Sequence, residues 1–369
     1  MNTQTLTPSF LSITAITTLL LASGCGSESS SSGNSSAGDS KSTPVFSLAW
    51  SEYPSWSVFG VAHETKLING AEGQLGSIEK KWNVDIVLRE ADYDSCITMY
   101  GAAQADAACL TNMDALNPSL SRPSALILPT STSAGADACI VTDSINTVQD
   151  LKGKKVFGLE KTVSEYCFVR NLEILGEKET DYQFSNMDPG AAAVAMQQKQ
   201  ASVEAIVVWN PFVMETLNKR PDTKVLFDST SIPNEIIDAV IVSQDSLKKE
   251  GGKDFACAVI DAFYAVNQRI ADEATRDDTL VALGEKFSHL DLEAMKTVVQ
   301  QTKFFSTPAE GKDILTGTEL PGIMTKVTAF CVAHEIVSKS PSVAFGPSPS
   351  GDLIIDSSYI DLVAAKNQP

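Results

Sequence analysis

The chain has 369 residues, 43% of them hydrophobic, so it can bury sizeable cores and is not intrinsically disordered. It carries 46 acidic and 28 basic residues, a formal net charge of -18. A negative field of this size repels phosphate backbones and anionic membrane surfaces, which argues against nucleic acid as a partner and slightly favours a cationic or neutral solute over an anion.

Residues 1–25 are predicted to be a lipoprotein signal peptide. Residues 10–22 form an apolar, Thr-rich run that is too short for a permanent membrane span. The run ends in Ala22-Ser23-Gly24-Cys25, which resembles a bacterial lipobox. Cleavage before Cys25 then leaves a lipidated cysteine, and the mature chain is held at the outer face of the inner membrane by its lipid anchor alone. An ordinary signal peptide cleaved elsewhere is the alternative, and both alternatives predict export.

Residues 26–43 are predicted to be a flexible tether. Most of the segment reads GSESSSSGNSSAGDSK, which lacks the apolar side chains that a core requires. No later stretch is apolar and long enough to cross a bilayer, so a transport role requires separate membrane subunits.

From residue 45 onward, strand-like and helix-like segments alternate, which predicts a mostly parallel α/β architecture. The first set has a long helix from about Trp56 to Trp82 and a second helix over residues 92–103. Its predicted strands are residues 45–50, 84–88, 107–110 and 124–129.

A second, similar set follows. Its strands are predicted at residues 138–141, 205–209 and 225–227, and its helices at 163–175 and 191–199. Residues 151–158 are predicted to contain a helix end, a turn and a new strand. Residues 239–242 are predicted to be a strand that returns to the first set. Residues 253–337 have an almost entirely helical pattern, and a strand at 353–355 and a helix near 359–365 end the chain.

Two α/β sets joined by two crossings, near residues 131–136 and near Asp238, describe a two-lobed clamshell with a hinge. We assign residues 44–135 and 239–369 to lobe 1 and residues 136–238 to lobe 2. Because open α/β sheets bind ligands beyond the carboxyl ends of their strands, the residues that follow each strand are the ones to inspect.

Six cysteines remain if Cys25 is lipidated. An even number permits up to three disulfides in an oxidising compartment, but the spacings contain no CxxC, and buried free thiols are an equally good interpretation. The six are Cys96, Cys109, Cys139, Cys167, Cys257 and Cys331.

Several motifs at the strand ends resemble those of a known protein class. They are WSxYxxW from Trp50, TNMDAL from Thr111, LKGKKV from Leu151, ExxVSxY from Glu160, WNP from Trp209, FDSxxIPxEIxD from Phe227 and FFSTPAE from Phe304. Together they are similar to substrate-binding lipoproteins of the nitrate/sulfonate/taurine class of ABC importers, and most similar to the branch associated with urea carboxylase. The resemblance covers essentially the whole mature chain.

This resemblance implies a type II periplasmic-binding-protein fold, ligand capture by hinge closure, and permease and ATPase subunits as partners. We expect a monomer. The class takes up anions, sulfonates, vitamin precursors and ureido or guanidino compounds on one scaffold, so the fold does not identify the solute. An extracellular sensor module, and a surface protein that has lost its ligand, are alternatives with the same fold.

Candidate ligand-binding residues come from the predicted strand ends and turns. They are Trp50, Glu52, Tyr53, Trp56, Asn112, Asp114, Glu160, Ser164, Trp209, Asn210, Glu235 and Asp238. Aromatic faces suit a planar or cationic solute, and carboxylates with amide oxygens suit a solute rich in donors, such as urea, guanidine or an amine. The alternative roles are aromatic packing and helix capping. Helix N-termini at Val163 and Asp114 offer free amides, so an anion, such as nitrate or a sulfonate, or a pyrimidine thiamine precursor remain alternative ligands.

Catalysis finds little support in the sequence. The three histidines, His63, His289 and His334, lie far apart, and neither His-Glu pair completes HExxH. No GxSxG or Walker loop occurs. We therefore expect a binding protein, not an enzyme, with no cofactor and no metal site.

Overall fold

The computed structural model describes residues 42–287, 290–347 and 350–367. The predicted signal peptide, the lipidated Cys25 and nearly all of the tether lie outside the described residues. Among the residues described, no helix is long and apolar enough to cross a membrane.

Thirteen strands occur in the part of the chain that the structure describes. They are β1 Val45–Trp50, β2 Asp85–Glu90, β3 Ala107–Thr111, β4 Ser124–Ser133, β5 Asp137–Thr142, β6 Lys155–Gly158, β7 Gln183–Asn186, β8 Ala205–Trp209, β9 Thr223–Asp228, β10 Ile237–Ser243, β11 Thr302–Phe304, β12 Val343–Phe345 and β13 Leu353–Ile355.

The same residues contain fourteen α-helices. They are α1 Val58–Glu64, α2 Ser77–Trp82, α3 Tyr93–Gly101, α4 Leu116–Ser121, α5 Val163–Ile174, α6 Pro189–Gln197, α7 Phe212–Lys219, α8 Gln244–Lys248, α9 Gly252–Ala271, α10 Arg276–Lys286, α11 Leu292–Gln301, α12 Pro308–Thr316, α13 Leu320–Ala333 and α14 Ser358–Lys366. Short 3-10 turns lie at Val148–Leu151, Glu179–Asp181 and Ser229–Ser231.

Two sheets form the centres of two lobes. Lobe 1 holds an eight-stranded sheet in the order β12-β13-β4-β10-β3-β1-β2, with β11 paired to β4. Lobe 2 holds a five-stranded sheet in the order β7-β6-β8-β5-β9. The chain leaves lobe 1 at the end of β4 and returns between β9 and β10.

The sheets are more mixed than the sequence pattern predicts. Strand β10 runs antiparallel to both β3 and β4, and β5 runs antiparallel to both β8 and β9. These two strands directly follow the crossings, so each enters its sheet from the side of the other lobe. The pairs β1 with β2, β1 with β3 and β6 with β8 are parallel, as expected for βαβ units.

The long helix predicted from Trp56 to Trp82 is wrong, because the structure divides this segment into α1 and α2. Gly70 and Gly73 between them have positive φ values of 76° and 83°, which a helix does not permit. A buried carboxylate, Glu79, accepts hydrogen bonds from the backbone N–H groups of Asn69, Gly76 and Ile86 at 2.7, 2.5 and 2.8 Å. This carboxylate organises the loop and joins it to β2.

All six cysteines in the described part of the chain are free and buried. Their packing as small apolar side chains agrees with the free-thiol alternative rather than with a disulfide framework.

Candidate functional site

A small cavity of about 10 Å³ lies between the two lobes. This volume holds about one water molecule, so a larger solute requires the lining or the lobes to move. Its lining combines four aromatic residues, two aspartates, a threonine and two aliphatic residues, namely Tyr53, Trp56, Tyr93, Trp209, Asp137, Asp238, Thr111, Val163 and Ile236.

A tight turn after β1 places two aromatic side chains at the cavity. The carbonyl of Tyr53 accepts hydrogen bonds from the N–H groups of Trp56 and Ser57 at 3.0 and 2.8 Å. The rings of Tyr53 and Trp56 consequently lie side by side, with centroids 4.8 Å apart. The Tyr53 hydroxyl and Trp56 Nε1 are buried and have no hydrogen-bond partner of standard geometry, which is unusual for buried polar groups.

Asp114 lies behind the cavity wall, in the turn that follows β3. Its Oδ2 accepts hydrogen bonds from the Tyr93 hydroxyl at 2.7 Å and from the Thr111 hydroxyl at 2.9 Å. Burial raises the pKa of Asp114 to about 6, and these hydrogen bonds lower it only in part. The amide of Val163, at the start of α5, also lowers this pKa, so the helix N-terminus already faces an acid of the protein.

Asp238 occupies a β-bulge in β10, where the pairing with β4 shifts register. Bulges redirect side chains and are frequent beside functional sites. Ser131 donates a hydrogen bond to Asp238 Oδ2 at 2.5 Å. Burial raises the pKa of Asp238 well above its usual value, and the charges of Asp137 and Asp114 raise it further.

Asp137 enters the cavity from lobe 2, at the first position of β5. It pairs in register with Trp209, the last residue of β8, so these two lining residues of lobe 2 come from neighbouring strand ends. Burial raises the pKa of Asp137 to about 7; a hydrogen bond with Ser133 opposes the increase, and the charge of Asp114 adds to it.

The three aspartates therefore form an uncompensated acidic cluster. Each is at most 5% exposed, and their charges raise one another's pKa values or that of Tyr53. The residues that line the cavity include no Lys, Arg or His. Buried carboxylates normally have a cationic partner or become neutral, and burial shifts these three acids toward the neutral form.

Aromatic rings extend across the gap between the lobes. Trp56 stacks on Tyr93 with centroids 5.4 Å apart, and Tyr93 meets Trp209 of lobe 2 edge to face at 5.6 Å. The lobes are thus in contact, and the enclosed space lies within a closed cleft. Aromatic faces attract cations at about 0.5–2 kcal/mol each.

A wider groove of about 350 Å³ shares Tyr93 and Trp209 with the cavity. Its lining includes five carboxylates and no basic residue; they are Glu52, Glu90, Asp92, Asp94 and Asp188. Asp92 and Asp188 also cap the N-termini of α3 and α6, which gives them a structural role. The groove gives the approach to the cavity a negative potential, which concentrates cations.

Five of the twelve candidate residues from the sequence lie at this cavity or against it: Tyr53, Trp56, Asp114, Trp209 and Asp238. Glu52 lies in the wider groove. The other six are placed elsewhere.

Trp50 contacts a different part of lobe 1, where it borders a separate pocket with Gly60, His63 and Lys286. Glu160 is exposed. Ser164 is buried next to Val163 but does not line the cavity.

Three candidates hold the two lobes together instead of facing the cavity. Asn112 donates from Nδ2 to the carbonyl of Glu235 at 3.1 Å, and Asn210 donates from Nδ2 to Gln301 Oε1 at 2.8 Å. Glu235 accepts hydrogen bonds from Tyr166, Arg170 and Lys326. Burial raises the pKa of Glu235, but these three partners outweigh burial and lower it to about 2.

Sequence reasoning missed Tyr93 and Asp137, which the structure places at the centre of the cavity. Asp137 directly precedes the apolar run of β5. Candidates were taken from the sequence only at or after the end of a strand, so this residue was not among them. Because β5 runs antiparallel to β8, its first residue meets the last residue of β8, and the start of an antiparallel strand is the signal to search for.

The fold agrees with that of periplasmic binding proteins. The chain is similar to the aliphatic sulphonate binding protein SsuA of Escherichia coli, with a TM-score of 0.63 and 17% identity over 80% of this chain and 89% of that one. It is also similar to the alkanesulfonate-binding protein SsuA of Xanthomonas axonopodis pv. citri, solved with bound MOPS, with a TM-score of 0.64 and 13% identity over 80% and 95% of the two chains.

A third similar structure is the Candida albicans CA3427 gene product, described as having the generic periplasmic binding protein fold. Its TM-score is 0.57, with 15% identity over 80% of this chain and 92% of that one. No protein-family model and no curated protein sequence matches this chain. At these identities the similarity establishes the fold alone.

Proposed function

We propose that this protein is the solute-binding component of an ABC importer and that it captures a small cation or donor-rich solute of the guanidine, urea or amine kind. The observation that carries the proposal is the cluster of Asp114, Asp137 and Asp238, which are buried together without a basic partner. A guanidinium or ammonium group supplies the missing positive charge, and urea supplies N–H donors.

Cavity size and polarity narrow the solute class. The cavity of about 10 Å³ has room for about one water molecule in this arrangement, so only a small solute fits without a large movement of the lining, and the aromatic rings supply flat faces for a planar group. Trp56 Nε1 is an unpaired donor, so a ligand that also carries one acceptor oxygen satisfies it. Urea and hydroxylated or acylated amines have this combination.

The acids also link binding to closure of the cleft. Asp114 follows β3 and Asp238 lies in β10, which the structure places in the lobe 1 sheet although the sequence boundary put residue 238 in lobe 2. Asp137 begins β5 of lobe 2, so closing the cleft brings the three acids together. A bound cation converts this repulsion into attraction. The solute therefore has a differential affinity for the closed form, which a binding protein needs in order to signal its loaded state to the importer.

The importer assignment rests on the fold, on the export signal expected in residues 1–25, and on similar proteins whose names describe sulfonate binding. The acidic lining of the cavity argues against the hypothesis that this chain binds a sulfonate as those proteins do. A buried sulfonate or nitrate requires Arg, Lys or backbone amides, and the amide at the start of α5 already faces Asp114.

Isothermal titration of the full-length protein against guanidinium, urea, small amines, taurine and nitrate tests the proposal. We expect binding of at least one of the first three and no binding of taurine or nitrate. Asp238→Asn should weaken binding at least tenfold, whereas Asp143→Asn, an exposed acid on lobe 2, should leave it unchanged. Binding of nitrate or taurine alone contradicts the proposal.

A further inference from the structure

Three potential metal ligands meet at a second contact between the lobes, away from the cavity. They are Glu165 on α5, Glu179 in the 3-10 turn Glu179–Asp181, and His334 at the carboxyl end of α13. One ligand atom from each residue lies within 4.8 Å of the other two. The glutamates belong to lobe 2, whereas α13 packs in lobe 1, where Met324 contacts Asn112.

The surroundings of His334 determine which ring nitrogen is free. Nδ1 lies 2.9 Å from the carbonyl oxygen of Phe330, and because a carbonyl can only accept, Nδ1 carries the hydrogen. The ring also stacks on Phe330, with centroids 3.8 Å apart and an interplanar angle of 24°. This orientation directs the other nitrogen, Nε2, toward the two glutamates.

His334 Nε2 lies 2.9 Å from Glu179 Oε1. At this distance Nε2 either donates a hydrogen bond to the carboxylate or shares a metal ion with it. Glu165 uses Oε2 to accept the amide of Lys161 at 2.6 Å, which fixes its carboxylate and leaves Oε1 for a ligand. Glu160 adds a further negative charge close to Glu165.

We propose that Glu165, Glu179 and His334 bind a divalent transition-metal ion, with Zn²⁺ as the type case, which joins the two lobes. One imidazole and two carboxylates form a donor set that suits Zn²⁺ and leaves a fourth position for water. Metal-bound histidines usually donate their second N–H to a carbonyl or carboxylate, as Nδ1 of His334 does to Phe330.

The geometry requires only a small adjustment to accept the ion. At bond lengths of about 2.0–2.2 Å, tetrahedral ligand atoms lie roughly 3.4 Å apart, so separations of up to 4.8 Å must shorten by at most about 1.4 Å. The 2.9 Å between His334 Nε2 and Glu179 Oε1 must lengthen by about 0.5 Å. Glu179 is exposed and free to make that movement. Since the ligands come from both lobes, the bound ion holds these lobes in the observed arrangement.

Isothermal titration of the chelator-treated, full-length protein with ZnCl₂ tests the site without any reference to the solute. We expect one Zn²⁺ per chain at this site, and His334→Gln and Glu179→Gln should each weaken it by roughly 10- to 100-fold or more. His63→Gln is the matched control, because His63 is an exposed histidine on α1 and should leave the affinity unchanged. Substitution of Co²⁺ should give visible absorption bands of a four-coordinate site, which His334→Gln abolishes.

Three results overturn the proposal: no zinc binding by the parent protein, a zinc affinity of both His334→Gln and Glu179→Gln equal to that of the parent, or a loss of affinity in His63→Gln as large as that in His334→Gln. Binding of Mg²⁺ as tight as that of Zn²⁺ overturns the assignment to a transition metal. Because Glu179 is exposed, its substitution should leave the fold intact, which circular dichroism checks. Solute titration of the metal-free protein tests the proposed function separately, so failure of one proposal leaves the other standing.

Discussion

Replacement of Asp137 by Asn should stabilise the ligand-free protein while it removes solute binding. Burial raises the pKa of this carboxyl from 3.8 to about 7. In the unfolded chain Asp137 ionises near its ordinary value, whereas in the folded protein it stays protonated up to about pH 7. Between about pH 4 and pH 7 the folded state therefore holds one more proton than the unfolded state. The contribution of Asp137 to the free energy of unfolding is present below about pH 4 and is lost as the pH rises to about 7.

The size of the effect follows from the pKa difference. About three pKa units at 1.36 kcal/mol each correspond to a cost of about 4 kcal/mol above pH 7, which Asn does not incur. Asp137→Asn should therefore raise the melting temperature at pH 8, by on the order of 5–10 °C, and leave it nearly unchanged at pH 4.

The same carboxyl makes solute binding depend on pH. If a cation binds only to the ionised form, a pKa of about 7 makes the parent protein bind roughly 100-fold more weakly at pH 5 than at pH 8. Asp137→Asn should bind weakly at both pH values.

Differential scanning fluorimetry from pH 4 to pH 8, with Asp143→Asn as control, measures the first effect, and titration calorimetry measures the second. A melting temperature of Asp137→Asn below that of the parent at pH 8 would refute the reasoning about the buried acid. A solute affinity of the parent that stays constant from pH 5 to pH 8 would refute its role in binding.

Other predictions concern residues at different points of the structure. Trp209→Ala should weaken solute binding roughly tenfold through loss of a cation–π contact, while Trp50→Ala, outside the cavity, should leave the affinity unchanged; equal effects in calorimetry would relocate the site. Glu235→Ala should lower the free energy of unfolding by about 1–3 kcal/mol at pH 7, because Arg170 and Lys326 lose their shared partner while Lys326 stays partly solvated and Arg170 keeps Glu173. Since the pKa of Glu235 is lowered to about 2, thermal melts should show this difference above pH 4.5 and its loss as the pH falls toward 2. Cys25→Ser should release the protein from the membrane fraction, and retention there would contradict the lipobox interpretation.

Local patterns predict the individual elements well. The apolar run at residues 205–209, bounded by polar residues and followed by Asn-Pro, coincides with β8, and residues 353–355 coincide with β13. Both strands are short and apolar, so the information needed to recognise them is contiguous in the chain. The short strands β7 and β11 were not predicted, because they contain few apolar residues. They are strands only because their backbones pair with β6 and β4, which lie elsewhere in the chain.

The sequence by itself determined the two-lobed α/β class, the abundance of acids, and the position of aromatic residues at strand ends. Only the tertiary structure decided which of these acids and aromatic residues lie in contact with one another. Glu235 looks like a ligand-binding acid in the sequence, but Arg170 and Lys326, 65 and 91 residues away, neutralise it. Asp137 looks like an ordinary strand start, yet the antiparallel entry of β5 buries it beside Asp238. The physical reason is that the charge state of an acid depends on its neighbours in space, and strand direction, which local propensity does not encode, determines those neighbours.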